Sequence, residues 1–365
     1  MIAAACGSDS AGGDVGGDGA TTESEADGTE TTDGEEAEEG SGEISADFNV
    51  GLTFDIGGRG DQSFNDSAVD GMDLAVSDFG VTASEAEPNA DGSNRAELLR
   101  LQADTSALVL GIGFLFEDDV KTVAAEYPDV NFAVIDSAML DFDNGGVPLG
   151  DNIAGLTFAE EQGSFLVGAA AALKSTTGKV GFIGGVGGFG LIEKFEAGFA
   201  AGAKAVNPDI EIVAQYITMA PDFDGFYAPD RAQQIALEMY GQGADIIFHA
   251  AGLAGSGLFE AAKSHSAGGT KVWAIGVDKD QYLEADPAYQ EFILTSMLKR
   301  VDVAVYEVIK AQAEGTFVAG NTVYDLSVDG VGYSTSGGFI DDFTDQLEDF
   351  KAQIIAGDIV VPTEP

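Results

Sequence analysis

DIGGRGDQSFN, residues Asp55 to Asn65, follows the apolar run FNVGLTF and precedes a stretch with helical spacing. An unbroken apolar run reads as a strand buried on both faces, and the glycines after it read as a tight turn. From about Asn65 to Phe79 the apolar residues Ala68, Val69, Met72, Ala75, Val76 and Phe79 recur at i, i+3, i+4 spacing, which predicts an amphipathic helix. Ser63 with Asp66 three residues on reads as a capping box at its start.

This strand–turn–helix unit repeats along the chain. ELLRLQ at 97–102 leads to SALVLGIG at 106–113, and a helix through 117–126 leads to NFAVID at 131–136. NIAGLTF follows as a connecting strand that reaches 158. The same grammar then restarts with a helix at 159–173 and strand KVGFIGG at 179–185. Helix 191–206, strand IEIVAQY at 210–216, helix 230–241 and strand ADIIFHA at 244–250 continue it, and a helix through 256–264 leads to KVWAIGVD at 271–278. Strands alternating with helices predict parallel sheets covered on both faces. Two series in succession predict an α/β protein of two doubly wound parallel-sheet lobes, a size that 365 residues suit. The remainder, from FILTSMLKR at 292–300 onward, is too short for a third lobe and is expected to cross back. The expected lobes are 46–154 plus about 279–305, and 155–278 plus about 306–361.

The formal net charge is −47, from 63 acidic and 16 basic residues. Such a surface repels nucleic acid and anionic headgroups and disfavours highly phosphorylated ligands. Cys6 is the single cysteine, which excludes a disulfide framework and a cysteine-based zinc site. His249 and His265 share no metal-ligand spacing. No run of 18 apolar residues occurs, so no membrane-spanning helix is expected. The opening MIAAAC, residues 1–6, resembles the end of a bacterial lipoprotein signal, with Cys6 as the lipidated residue. Residues 7–45 are almost devoid of apolar side chains; 7–43 hold thirteen acidic residues and no basic one. They read as a disordered acidic tether with a reach on the order of 35 Å. Lipidated cysteine, tether and globular body together predict an extracytoplasmic protein anchored to a bacterial cell membrane.

In open parallel sheets, ligands bind beyond the carboxyl ends of the strands. Those ends carry Asp55 with its Gly57-Gly58 turn, Gly111 and Gly113, Asp136-Ser137, Gly184-Gly185, His249 to Gly252, and Asp278. The set is rich in acids and backbone amides and lacks a nucleophile–base pair. Gly185-Val-Gly187-Gly188-Phe-Gly190 matches the dinucleotide fingerprint G-x-G-x-x-G, but the next strand ends in Gln215-Tyr216 rather than an acid. A tight turn lining the cleft is the expectation, with an NAD-dependent enzyme as the competing reading.

Several ordered motifs carry a resemblance. They are Asp55-Ile-Gly-Gly, Asp61-Gln-Ser-Phe-Asn65, Val134-Ile-Asp-Ser137, Lys179-Val-Gly-Phe-Ile-Gly-Gly185, Phe195-Glu-Ala-Gly-Phe199, Gly243 to Gly252, Ile275-Gly-Val-Asp278 and Thr295-Ser-Met-Leu-Lys299. Over residues 47–361 the chain resembles the basic membrane protein family, nucleoside-binding lipoproteins that serve ATP-driven importers. The resemblance implies a type I periplasmic-binding fold with three crossovers at the hinge. It implies a monomer that takes a nucleoside, most closely a purine nucleoside, and passes it to the permease and ATPase subunits of a transporter, with no cofactor and no reaction. It implies that Phe64 stacks on the base, that Asn65 and Asp136 bond the base edge, and that Asp278 and Lys299 hold the ribose, with Asp55 and Gly252 nearby. A second ring is implied from Asp222-Phe-Asp-Gly-Phe-Tyr-Ala-Pro229, with Phe226 preferred by spacing and Phe223 and Tyr227 open. A sugar or another small signal is the alternative ligand, since sugar rings also stack on aromatics.

Overall fold

The computed structural model of the protein describes residues 47–365. The expectations for residues 1–45, lipidation of Cys6 included, lie outside the described residues. The first half runs β1 (Asn49–Thr53), α1 (Phe64–Phe79), β2 (Thr82–Ala86), α2 (Arg95–Ala103), β3 (Leu108–Gly111), α3 (Glu117–Glu126) and β4 (Asn131–Ile135). A small hairpin of β5 (Leu140–Asp141) and β6 (Val147–Pro148) precedes β7 (Ile153–Phe158). Next come α4 (Glu160–Lys174), β8 (Lys179–Gly187), α5 (Leu191–Val206), β9 (Glu211–Met219), α6 (Pro229–Gly241), β10 (Ile246–Ala250), α7 (Ser256–Ser266) and β11 (Trp273–Asp278). The chain closes with the short helices α8 (Gln281–Glu284) and α9 (Pro287–Gln290), then β12 (Ile293–Lys299), α10 (Val301–Ala313), β13 (Gly320–Tyr324), β14 (Val331–Tyr333) and α11 (Thr344–Ile355).

The strands form two six-stranded sheets, ordered β2-β1-β3-β4-β7-β13 and β9-β8-β10-β11-β12-β14. The first is parallel throughout, and in the second only β14 runs antiparallel, against β12. Val50, Leu52, Leu108, Leu110, Ala133 and Ile135 are fully buried, as central parallel strands require. In each sheet the first strand lies between the second and third, which opens a crevice at the carboxyl ends.

Within the described residues the chain passes between the sheets at β7–α4, at β12–α10 and at β13–β14. The return segments differ from the sequence expectation. Strand β12, expected with the first lobe, pairs with β11 in the second sheet, and β13, expected with the second, pairs with β7 in the first. Strand β7 is likewise a full member of the first sheet, so that sheet extends to residue 158 rather than 154. The physical reason is that an apolar strand such as ILTSMLK satisfies either sheet edge, and packing of the next helix decides. Helix α10 lies so close on α1 that a Cβ at Gly71 would sit 2.2 Å from the Asp302 carbonyl oxygen. That contact draws residues 301–324 back onto the first lobe.

Candidate functional site

The turn after β1 is built around Asp61. Its carboxylate accepts from the backbone N–H of Ser63 (3.0 Å), Asn65 (2.9 Å) and Asp66 (3.1 Å), which caps α1. The expected capping box therefore does not form: Ser63 makes no cap bond, and its hydroxyl instead donates across the crevice to Asp278. Asp66 turns back onto the loop and accepts from Gly60 N (2.8 Å) and Gln62 N (2.9 Å). Asn65 is almost fully committed to the same loop. Its Oδ1 accepts from Asp55 N (3.1 Å), and its Nδ2 donates to Asp61 (3.1 Å).

The turn faces a cavity of about 620 Å³, counting the part open to solvent. All eight residues singled out from the sequence line it: Asp55, Phe64, Asn65 and Asp136 from the first lobe, and Phe226, Gly252, Asp278 and Lys299 from the second. The other two aromatics considered for the second lobe lie elsewhere. Phe223 joins Phe114 and Phe189 in an aromatic cluster, with ring centroids 5.6 Å and 5.9 Å away. Tyr227 is exposed and lines an adjoining pocket instead. Phe226 gains its place because Gly185 has no side chain: a Cβ there would lie 2.5 Å from the ring. Gly113 does the same for Asp55, whose carboxylate oxygen would meet a Cβ at 2.0 Å.

Asp136 and Asp278 hold equivalent places, each just at the end of the fourth strand of its sheet. Both adopt a left-handed backbone, with φ of 66° and 64°. Aspartate tolerates that region better than most residues, yet two non-glycine cases facing one cavity mark strain kept at a site. The strain aims both carboxylates inward.

Burial shifts three of the cavity carboxylates, which come from both lobes. Burial pushes Asp55 up to about 7, although the Ile56 N–H and the Arg95 guanidinium 3.9 Å away pull the other way. Burial also pushes Asp278 up to about 7 against the pull of Lys299 and Ser63. Asp136 is raised by burial, and Lys299 opposes the rise. Lys299 is only 2% exposed, and burial alone would depress it. Asp136 at 2.7 Å and Glu160 at 3.2 Å outweigh that and hold it charged.

Sequence reasoning missed Phe114, Asp61 and Phe195, which also line the cavity. Phe114 was within reach, because it follows the Gly113 turn at the end of β3. Across the crevice its ring stacks on Phe189 at 4.7 Å. The lobes also meet where Gln281 Nε2 donates to the Gln62 carbonyl (3.1 Å) and where Lys279 pairs with Asp70 (2.7 Å). His249 supports Gln281 from below, Nε2 to Oε1 at 2.9 Å, and burial lowers its pKa to about 4. In the Gly-rich turn at 185–190 the Glu193 carboxylate already accepts from both Gly188 N and Gly190 N (2.9 Å), the amides that a phosphate would use.

Two facing lobes with this lining have the form of a solute trap. Residues 48–364 match the profile of a family described as ABC transporter substrate-binding protein PnrA-like, Bmp. The chain belongs to the Bmp family. Among its relatives is the ABC transporter nucleoside-binding protein BmpA of Lactococcus lactis, 32% identical over 89% of this chain and 92% of the relative. A protein of Listeria innocua named CD4+ T-cell-stimulating antigen is 37% identical over 89% of this chain and 91% of its own. Basic membrane protein A of Borreliella burgdorferi is 34% identical over 83% and 84%. Among solved structures, an ABC transporter solute-binding protein of Aeropyrum pernix superposes with a TM-score of 0.72 at 29% identity, over 86% of this chain and 93% of that one. The expected periplasmic-binding architecture is thus the fold of this Bmp protein. Among the described residues no helix is long and apolar enough to cross a membrane.

Proposed function

We propose that this protein captures a purine nucleoside between its lobes and delivers it to an ABC importer, from an extracytoplasmic position held by lipidated Cys6. The observation that carries the reading is one cavity with a phenylalanine on each lobe, Phe64 and Phe226, and with Asp55, Asp136, Asp278 and Lys299 around them. A planar base between two rings gains roughly 0.5–1.5 kcal/mol per aromatic pair beyond area burial. Because the rings belong to different lobes, the gain is complete only when both lobes engage, and such differential contact drives a hinge equilibrium. Asp278 and Asp55 suit the hydroxyls of a ribose, with Lys299 beside them. Asp136 and the remaining lone pair on Asn65 Oδ1 suit the base edge. The nucleoside-binding relative in Lactococcus lactis supports this choice of ligand. A sugar is the second reading, favoured by the same carboxylates, which accept from any hydroxyl.

Isothermal titration of ligand-stripped protein against inosine, guanosine, adenosine and cytidine tests the reading. Heat with a purine nucleoside and none with cytidine is the expected result, and no heat with any of the four refutes it. Mass spectrometry of the ligand that copurifies with the native protein separates nucleoside from sugar. Metabolic lipid labelling that persists in the Cys6→Ser variant would dismiss the anchor.

The raised carboxyls make a further demand on that titration. Hydroxyls donate more strongly to a carboxylate than to a carboxylic acid, so binding favours the ionised forms of Asp55 and Asp278. Both stand at about 7 in the free protein and are largely protonated at pH 6. Binding at pH 6 should therefore release protons, up to about one per carboxyl, and the release should vanish near pH 9. Affinity rises with pH across that window. Titrations in buffers of different ionisation enthalpy give the proton count directly, and a count near zero at pH 6 contradicts ionisation of these two residues on binding.

A further inference from the structure

We infer that Glu160, backed by Lys194, is the positioning residue that holds Lys299 toward the ligand and ties it to the hinge. The inference rests on the reading of the cavity as a ligand site. Glu160 and Lys194 do not line that cavity, so they act through Lys299. Glu160 is 1% exposed and opens α4, directly after the chain leaves the first sheet. Lys299 ends β12, directly before the chain returns to the first lobe. Their contact, Nζ to Oε1 at 3.2 Å, joins two of the crossing segments. The other Glu160 oxygen takes Lys194 Nζ of α5 at 3.1 Å, and that ammonium also reaches the Phe158 carbonyl at 3.4 Å.

Charge and donor geometry give the quartet its role. The formal charges of Asp136, Glu160, Lys194 and Lys299 sum to zero, with Lys194 at the solvent side and the other three buried. The Lys299 ammonium has three donors. It donates to Asp136 Oδ2 at 2.8 Å, whereas Asp136 Oδ1 and Glu160 Oε1 lie close to it without hydrogen-bond geometry. The two carboxylates thus fix the position of the charge while leaving donors free for a ligand. The rings of Phe158, Phe64 and Phe195 surround Nζ at 5.0, 5.2 and 5.7 Å, which favours the charged form in the same place. Without the Glu160 charge, Lys299 is repelled by Lys194 and drawn wholly onto Asp136. Its free donors then leave the cavity, and Asp136 loses its freedom to meet the ligand.

The test uses the full chain with inosine as probe and NMR of isotope-labelled lysine to follow the Lys299 side chain. Glu160→Gln should weaken inosine binding roughly tenfold or more and move the Lys299 resonance, because a charged neighbour is removed from a buried ammonium. Glu160→Asp, which restores the charge, should recover binding to within about threefold of wild type. Lys194→Met keeps the Glu160–Lys299 contact and should fall between the two; it carries the test if Glu160→Gln does not fold. Binding within about twofold of wild type in Glu160→Gln, with an unmoved Lys299 resonance, overturns the inference. If the wild type binds none of the nucleosides, the ligand reading fails by itself. The Lys299 resonance then decides the inference: shifted in Glu160→Gln it stands, unmoved it falls.

Discussion

Lys299→Met should cost this protein about 3–5 kcal/mol of stability at pH 8, because it strands the buried Asp136 carboxylate and leaves Glu160 with Lys194 alone. Methionine matches the length of the lysine stem and fits among Phe64, Phe158 and Phe195, so lost packing contributes little. What remains is Asp136 and Glu160, each within 3.2 Å of the missing ammonium. The pH dependence separates this charge effect from a packing effect. Burial already raises Asp136, and Lys299 is the main influence holding it down. In the variant its folded-state pKa climbs further above the unfolded value. A carboxyl raised in this way costs nothing below its unfolded pKa, where both states are protonated. Its cost is complete only above the folded pKa. The deficit against wild type should therefore be largest at pH 8 and shrink toward pH 5. Melting curves of both proteins at the two pH values measure it. A melting-temperature difference that does not change with pH would mean that Lys299 acts through packing alone.

The strand ends were legible in the sequence for a physical reason. Parallel strands buried on both faces read as uninterrupted apolar runs, so FNVGLTF, NFAVID and KVWAIGVD announce where each strand stops, and Asp55, Asp136 and Asp278 follow. Edge elements send no such signal. Strand β2 is TASEA, only partly buried, and nothing in its pattern distinguishes it from a loop. Membership of the return segments was equally silent, because β12 and β13 pair through backbone groups that every sequence possesses. The misread cap at Ser63 has the same origin. A serine before a helix has two possible partners, and the second, Asp278, stands 215 residues away. Glu160 was invisible for that reason too: its meaning depends on Lys194 and Lys299, which only the fold brings to it. Local patterning thus located the strand ends that line the cavity, while the contacts that couple the two lobes required the assembled structure.

Phe226→Ala should weaken inosine binding roughly tenfold to a hundredfold while leaving the fold nearly unchanged. The ring is half-buried and covers Gly185, so truncation opens the cavity wall without hollowing the core. The neighbouring aromatics make the expectation specific. Tyr227→Ala removes an exposed ring outside the cavity and should leave affinity within about twofold. Phe223→Ala opens the cluster with Phe114 and Phe189, which joins the lobes but does not sandwich the ligand. It should act through closure, with a smaller loss than Phe226→Ala. The decisive measurement is a double-mutant cycle between Phe64 and Phe226. If each ring takes one face of a single base, losing either ring forfeits most of the closure energy. The double variant should then bind only slightly more weakly than either single one. Independent rings would give losses that multiply. A loss larger in Phe223→Ala or Tyr227→Ala than in Phe226→Ala would reassign the second wall of the sandwich, and fully multiplicative losses would remove the sandwich itself.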